Sequence, residues 1–141
     1  MRILGIDHGD ARIGLALSDE LGMLAHPLET LDGREKFNAI SRKLLTLIAE
    51  KKIERIIIGL PRNMNGTYGP AAEKIRGFVE KLTPLLPIPI QLWDERMTTQ
   101  QAQRSLHDAG RNVKNSRKVI DQVAAVIILQ SYLDSIAGNE P

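Results

Sequence analysis

The chain has 141 residues, 43% hydrophobic and 26% charged, the size and balance of one ordinary globular domain with a core of its own. It has no cysteine, which excludes disulfides, thiolate metal sites and cysteine nucleophiles. The formal charge of +2 permits a nucleic-acid partner without demanding one.

Taken in chain order, residues 2–8 are a short apolar run closed by Asp-His-Gly, a strand entering a turn. Residues 12–18 are a second apolar run, and Gly9-Asp10 between them predicts a tight hairpin. Residues 21–31, with Pro27, read as a third, edge-like strand, because proline is tolerated at sheet edges. The period then changes. Phe37, Ile40, Leu44, Leu47 and Ile48 recur at helical spacing, predicting a helix over 34–51. Residues 55–60 hold Ile56-Ile57-Ile58 without alternation, as in a strand covered on both faces. Residues 61–69 are a polar, glycine-bearing loop, 71–82 a second helix stopped by Pro84, and 88–93 a last strand. Residues 98–109 read as a third helix with Thr98 or Thr99 as N-cap and Gly110 as terminator, and 116–136 as a final helix.

The order β-β-β-α-β-α-β-α-α implies an α/β fold. Three strands joined by hairpins are antiparallel, and two more return through helical crossovers to lie parallel to the first. The expectation is a mixed five-stranded sheet with helices on its faces, in a single domain over 1–137 with a flexible tail at 138–141. The N-terminal run meets a charge at Asp7, so it is no signal peptide, and the longest apolar run, 123–129, is too short to span a bilayer. A cytoplasmic protein is expected.

Three carboxylates stand out. Asp7 ends the first strand among Gly5, Gly9 and Gly14, and the carboxyl ends of strands in open α/β sheets bind ligands. As a lone residue it is an ordinary turn aspartate. Glu95 follows the last strand, in Trp93-Asp94-Glu95-Arg96, where a solvated charge is the plain alternative. Asp121 shares its helical side with Ala124, Ala125 and Ile128, an apolar side, where a carboxylate is costly unless paired or bound to metal. An ion pair with Arg117, one turn earlier, is its structural alternative. Jointly the three acids suit Mg²⁺ or Mn²⁺, which prefer oxygen ligands and serve phosphoryl transfer. The histidines at 8, 26 and 107 form no ligand-spaced pair, and His8 should face away from Asp7. Residues 104–118 carry five basic side chains (Arg104, Arg111, Lys114, Arg117, Lys118) against Asp108, either a solvated segment or a phosphate contact.

Four segments together carry a family resemblance: Gly5-Ile6-Asp7-His8-Gly9 with Arg12-Ile13-Gly14; Gly59-Leu60-Pro61 with Asn65-Gly66-Thr67; Asp94-Glu95-Arg96 with Thr98-Thr99; and Ile120-Asp121 with Ala124-Ala125. In this order the chain resembles the YqgF (RuvX-like) family, described as Holliday junction resolvases and as nucleases that mature precursor 16S ribosomal RNA. The resemblance implies a ribonuclease-H-like fold and a metal-dependent nuclease with Asp7, Glu95 and Asp121 as metal-binding, catalytic carboxylates. Better-known resolvases of this superfamily use a fourth acid near the third. Asp134 lies more than three turns beyond Asp121, too far to supply it, so one or two ions remain open.

Nucleic-acid contacts are expected from Arg12, Asn63, Asn65, Thr67, Arg96, Lys114, Arg117 and Lys118, with an ordinary Asn-Gly turn as the alternative for the loop. Arg96 could instead hold Asp94 or Glu95. The expected partner is structured RNA, with branched DNA as the alternative; a ribosomal particle is a further candidate, and a monomer or a homodimer is compatible. Two rivals stand beside this reading. Asp7-x-Gly9 followed by Gly14 also resembles the first phosphate loop of actin-like and sugar-kinase ATP-binding domains, and a non-catalytic nucleic-acid-binding module would keep the fold without the chemistry.

Overall fold

The structure, a computed structural model, describes residues 1–63, 65–94 and 117–137, with side chains from 122 onward in the last segment. The strands are β1 (Arg2–His8), β2 (Arg12–Ser18), β3 (Ala25–Asp32), β4 (Ile53–Leu60) and β5 (Ile90–Asp94). The helices are α1 (Phe37–Lys51), α2 (Pro70–Leu82), extended by a 3-10 turn at Thr83–Leu85, and α3 (Arg117–Ala137). The sheet order is β3-β2-β1-β4-β5, with β1 antiparallel to β2, β2 antiparallel to β3, and β1–β4 and β4–β5 parallel. This is the mixed five-stranded α/β sheet expected from the order of elements. The third helix expected over 98–109 and the tail at 138–141 lie outside the described residues.

Side-chain alternation sorts the core into two layers. Leu4, Ile6, Ile13, Leu15, Ile56 and Ile58 point to one face and meet Ile40, Leu44 and Ile48 of α1 and Ala72 and Ile75 of α2. Ile3, Ala16 and Ile57 point to the other face and meet Ala125, Ile128, Leu129, Tyr132 and Leu133 of α3. Gly5 lies between Ile3 and Asp7 on the α3 side. A Cβ there would stand 2.7 Å from Leu129 Cβ and 3.2 Å from the Ala125 carbonyl oxygen, so the missing side chain sets how closely α3 approaches β1. No helix among the described residues is long and apolar enough to cross a membrane.

Several element ends differ from the sequence expectation. The third strand starts at Ala25 rather than 21, because residues 19–24 form a closed turn. Asp19 N–H donates to the Leu24 carbonyl (3.0 Å), and the Asp19 carboxylate accepts from the N–H groups of Met23 (2.8 Å) and Leu24 (3.3 Å). Helix α1 starts at Phe37 rather than 34, because the Asp32 carboxylate accepts the Arg34 N–H (2.9 Å) in a turn, and Lys36 is extended. Strand β4 starts at Ile53 rather than 55, because Ile53 pairs with Arg2 across a bulge. Strand β5 runs Ile90–Asp94, two residues later than expected at its start.

The bonds from the Met23 and Leu24 N–H groups hold the Asp19 carboxyl below its ordinary value of 3.8. A depressed folded-state pKa contributes stability that is present above about pH 3.8 and lost as pH falls through the folded value. Asp19→Ala is therefore expected to melt below wild type at pH 7, with the difference closing as pH falls below the ordinary carboxylate value of 3.8 and through the lower folded one. Parallel thermal melts across that range check it, and a gap independent of pH would assign the effect to something other than the carboxylate.

Candidate active site at the carboxyl rim of the sheet

Asp7 lies near the carboxyl end of the central strand. Cross-strand register places it opposite Gly14, which in turn lies opposite Thr30. On the other side, Ile6 pairs with Ile58, so the continuing register brings Asp7 level with Gly59, itself paired with Trp93. One row thus reads Thr30, Gly14, Asp7, Gly59, Trp93 on the face that α3 covers. The two strand positions beside the carboxylate carry no side chain. They leave open backbone around a hard oxygen donor, which suits a hydrated divalent ion.

Helix α3 runs antiparallel to β1 over this row. The Gln130 carboxamide oxygen accepts the Ala25 N–H (2.9 Å) at the start of β3, and Gln122 Nε2 donates to Thr30 Oγ1 (3.1 Å) near its end. The helix position of Asp121 is next to Gln122, and it lies one turn before Ala125, whose carbonyl closes over Gly5. From Gly5 to Asp7 the strand advances about 6.6 Å. From Ala125 back to Asp121 the helix advances about 6 Å. The backbone of Asp121 therefore reaches the level of Asp7. Its side chain lies outside the described residues, as do Glu95, Arg96 and Lys114 and the side chains of Arg117 and Lys118. Among the described residues no group of three or more histidine, aspartate or glutamate side chains is placed to hold a metal.

Strand β5 ends at Asp94, immediately before Glu95, on the same rim. Two strand spacings, about 9.6 Å, separate β5 from β1. Asp134 is at the far end of α3, accepting from Gln130 Nε2 (3.0 Å), and the expectation that it is too distant to serve as a fourth acid agrees with that position. His8 turns to the opposite face, its ring 4.4 Å from that of Phe78 in α2. Burial there, and secondarily the Lys74 ammonium, lower its pKa from the ordinary 6.5. A cleft of about 430 Å³ opens beside Asp7, between the β1–β2 turn and the start of α2, lined among others by Asp10, Pro61, Pro70 and Lys74. Lys74 is ion-paired with Asp10.

Arg12 begins β2 on this rim, paired with Asp32 of β3. Asn63, Asn65 and Thr67 are exposed on the loop after β4, but they first bind one another. Thr67 N–H donates to Asn65 Oδ1 (3.1 Å), the Thr67 hydroxyl to the same oxygen (2.6 Å), and Asn63 Nδ2 to Thr67 Oγ1 (3.1 Å). Gly66, at φ 86°, turns the loop, as Asn-Gly predicts. The structure adds one residue that the sequence did not single out. Arg62 Nη1 lies 3.3 Å from Asp94 Oδ2, an ion pair the sequence reading had offered to Arg96. No periodicity or motif marks Arg62; only the adjacency of β4 and β5 brings it to Asp94.

A model of the RuvX family, described as Holliday junction resolvases, matches residues 1–135. A protein of Ruminiclostridium cellulolyticum named "Putative pre-16S rRNA nuclease" is 43% identical over 140 residues, covering 99% of each chain. Equally named proteins of Protochlamydia amoebophila and Streptomyces coelicolor are 49% and 47% identical, with 95% and 99% of this chain covered and 93% and 85% of theirs. Among solved structures, Thermus thermophilus RuvC in complex with a Holliday junction substrate superposes with a TM-score of 0.63 at 16% identity, over 98% of this chain and 97% of that one. A second structure, titled "Thermus thermophilus RuvC structure", gives 0.57 at 15% identity. These likenesses confirm the ribonuclease-H-like fold, and with the match over residues 1–135 they establish that the chain belongs to the RuvX family of nucleases.

Proposed function

We propose that this nuclease is a metal-dependent endonuclease whose principal substrate is precursor 16S ribosomal RNA, with Asp7, Glu95 and Asp121 as its metal-binding, catalytic carboxylates. The observation that carries the reading is the position of Asp7: central strand, carboxyl end, a glycine on each side, and the start of α3 at its level. The donor chemistry and the open floor fit Mg²⁺ or Mn²⁺. When bound, such ions activate a water and stabilise the leaving oxygen in phosphodiester hydrolysis. Asp7 would anchor the site on the central strand, while Glu95, the residue after β5, and Asp121 of α3 would supply the other acids. A carboxylate-only site needs no nucleophilic side chain, in keeping with a chain that has no cysteine.

The names of the relatives favour RNA over branched DNA. Arg12 on the rim, the loop bearing Asn63, Asn65 and Thr67, and Arg96, Lys114, Arg117 and Lys118 would meet backbone phosphates. With five aromatic residues in the chain, recognition rests on charge and shape more than on base stacking, so binding should weaken steeply with salt. The protein would act in the cytoplasm, as one domain over residues 1–137, on free RNA or on a ribosomal precursor.

The test offers purified protein a labelled RNA carrying the precursor ends of 16S rRNA and a labelled four-way DNA junction, each with Mg²⁺, with Mn²⁺ and with chelator. Metal-dependent cutting of the RNA in preference to the junction is expected. Preferential cutting of the junction would transfer the assignment to resolvase. Tight ATP binding without cleavage of either would sink the nuclease reading in favour of an ATP-binding module.

A further inference from the structure

The loop 61–69 joins β4 to α2 at the rim, and one side chain ties it to β5. The Arg62 guanidinium engages two residues, Asp94 and Tyr68, the latter through both its hydroxyl and its ring. Nη1 pairs with Asp94 Oδ2 at 3.3 Å, Nη2 donates to the Tyr68 hydroxyl (2.5 Å), and its central carbon lies 4.6 Å from the centre of the Tyr68 ring. Arg76 of α2 also lies against that ring, at 4.5 Å, and its Nη1 donates to Glu73 (2.7 Å). A continuous chain of contacts thus runs from α2 through Tyr68 and Arg62 to the end of β5. Arg62 and Asp94 are each about three-quarters covered, with side-chain exposures of 23% and 27%.

Between Arg62 and Tyr68 lie Asn63, Asn65 and Thr67. The Asn63 N–H donates to the Thr67 carbonyl (2.8 Å) and the Gly66 N–H to the Asn63 carbonyl (2.9 Å), and Arg62, just before Asn63, reaches Tyr68, just after Thr67. The Asn63 carboxamide packs under Gly69, where a Cβ would stand 3.2 Å from it. A planar fork that reaches two acceptors at once is a property of arginine and not of lysine. The Tyr68 hydroxyl first, and Asp94 second, hold Arg62 firmly in its charged form.

We propose that Arg62 is a positioning residue: it clamps the loop 61–69 to the carboxyl end of β5 and so presets Asn63, Asn65 and Thr67 for the phosphates of the nucleic acid. The proposal rests on the nuclease reading above for its ligand class. It differs from the simpler view of Arg62 as a phosphate contact, because here its charge is already spent on Asp94.

The two views predict opposite results. Arg62→Ala, Arg62→Lys and Asp94→Asn would be compared with wild type on the labelled precursor RNA, with hydrogen exchange of residues 61–69 followed in the absence of RNA. A clamp predicts that lysine does not rescue. Both Arg62 variants and Asp94→Asn should raise KM about tenfold, roughly the loss of one charge-assisted hydrogen bond, with the larger part of the defect in KM rather than kcat. The amides of Asn63 and Gly66 should exchange faster in all three. Near-normal KM in Arg62→Lys, or a lower KM in Asp94→Asn from a released cation, would overturn the clamp. So would unchanged loop exchange in Arg62→Ala, and this last readout holds even if the wild type cuts no RNA, a result that would count against the proposed function alone.

Discussion

Asp7→Asn is expected to abolish metal-dependent cleavage, with a loss of at least about 10²-fold in kcat. The substitution keeps the size and shape of the side chain, so the row Thr30, Gly14, Asp7, Gly59, Trp93 and the packing of α3 should persist. What disappears is the anionic oxygen donor at the centre of the rim. The fold should not suffer. Asparagine is isosteric with aspartate and keeps its hydrogen-bonding capacity, so the metal-free variant should stay folded and melt cooperatively. The measurement pairs cleavage rates with thermal melts in chelator, and adds Mn²⁺ titration by calorimetry. Weakened Mn²⁺ binding in a folded, inactive variant is the expected result. An inactive variant with unchanged Mn²⁺ affinity would remove Asp7 from the metal site, and an active one would remove it from catalysis.

Gly5→Ala is expected to cost about 1–3 kcal/mol by overpacking. In a domain of this size that corresponds to a melting temperature lower by about 3–10 °C. The added Cβ would meet Leu129 Cβ at 2.7 Å and the Ala125 carbonyl oxygen at 3.2 Å, and neither is the free end of a flexible chain. The relief is for α3 to move away from β1. Because α3 carries Asp121 one turn from Ala125, the same displacement should weaken metal binding and cleavage beyond what the loss of stability explains at a temperature where the variant is folded. Gly77 supplies the control. It lies within α2, and a Cβ there would meet nothing within 4 Å. Gly77→Ala should therefore stabilise by about 0.5–1 kcal/mol through helix propensity and leave cleavage as it was. Equal effects at the two glycines would mean that close approach of α3 is not what Gly5 provides.

The elements visible in the sequence were those whose signal is local. Arg2–His8 and Arg12–Ser18 could be bounded to the residue, because each apolar run is closed by its own turn and the Gly9-Asp10 hairpin links them. The apolar stripe of α1 marked its buried face, Ile40, Leu44, Leu47 and Ile48, by the 3.6-residue period. The ends that shifted were those set by a bond from elsewhere: Asp19 folding residues 19–24 back on themselves, the Asp32 carboxylate delaying α1, and Arg2 recruiting Ile53 into β4.

The site divides along the same line. Strand alternation and helical rise are properties of the chain alone, so spacing was enough to turn His8 away from Asp7 and to set Asp134 toward the far end of its helix. The family, too, is written in its motifs, because these preserve residue types at fixed places along the chain. The side-by-side order of β1, β4 and β5, the placing of Gly59 beside Asp7, the descent of α3 onto Gly5 and the ion pair of Arg62 with Asp94 were decided only by the tertiary structure. Each joins residues distant in sequence through strand pairing or packing, and a linear pattern carries no record of which strand lies beside which.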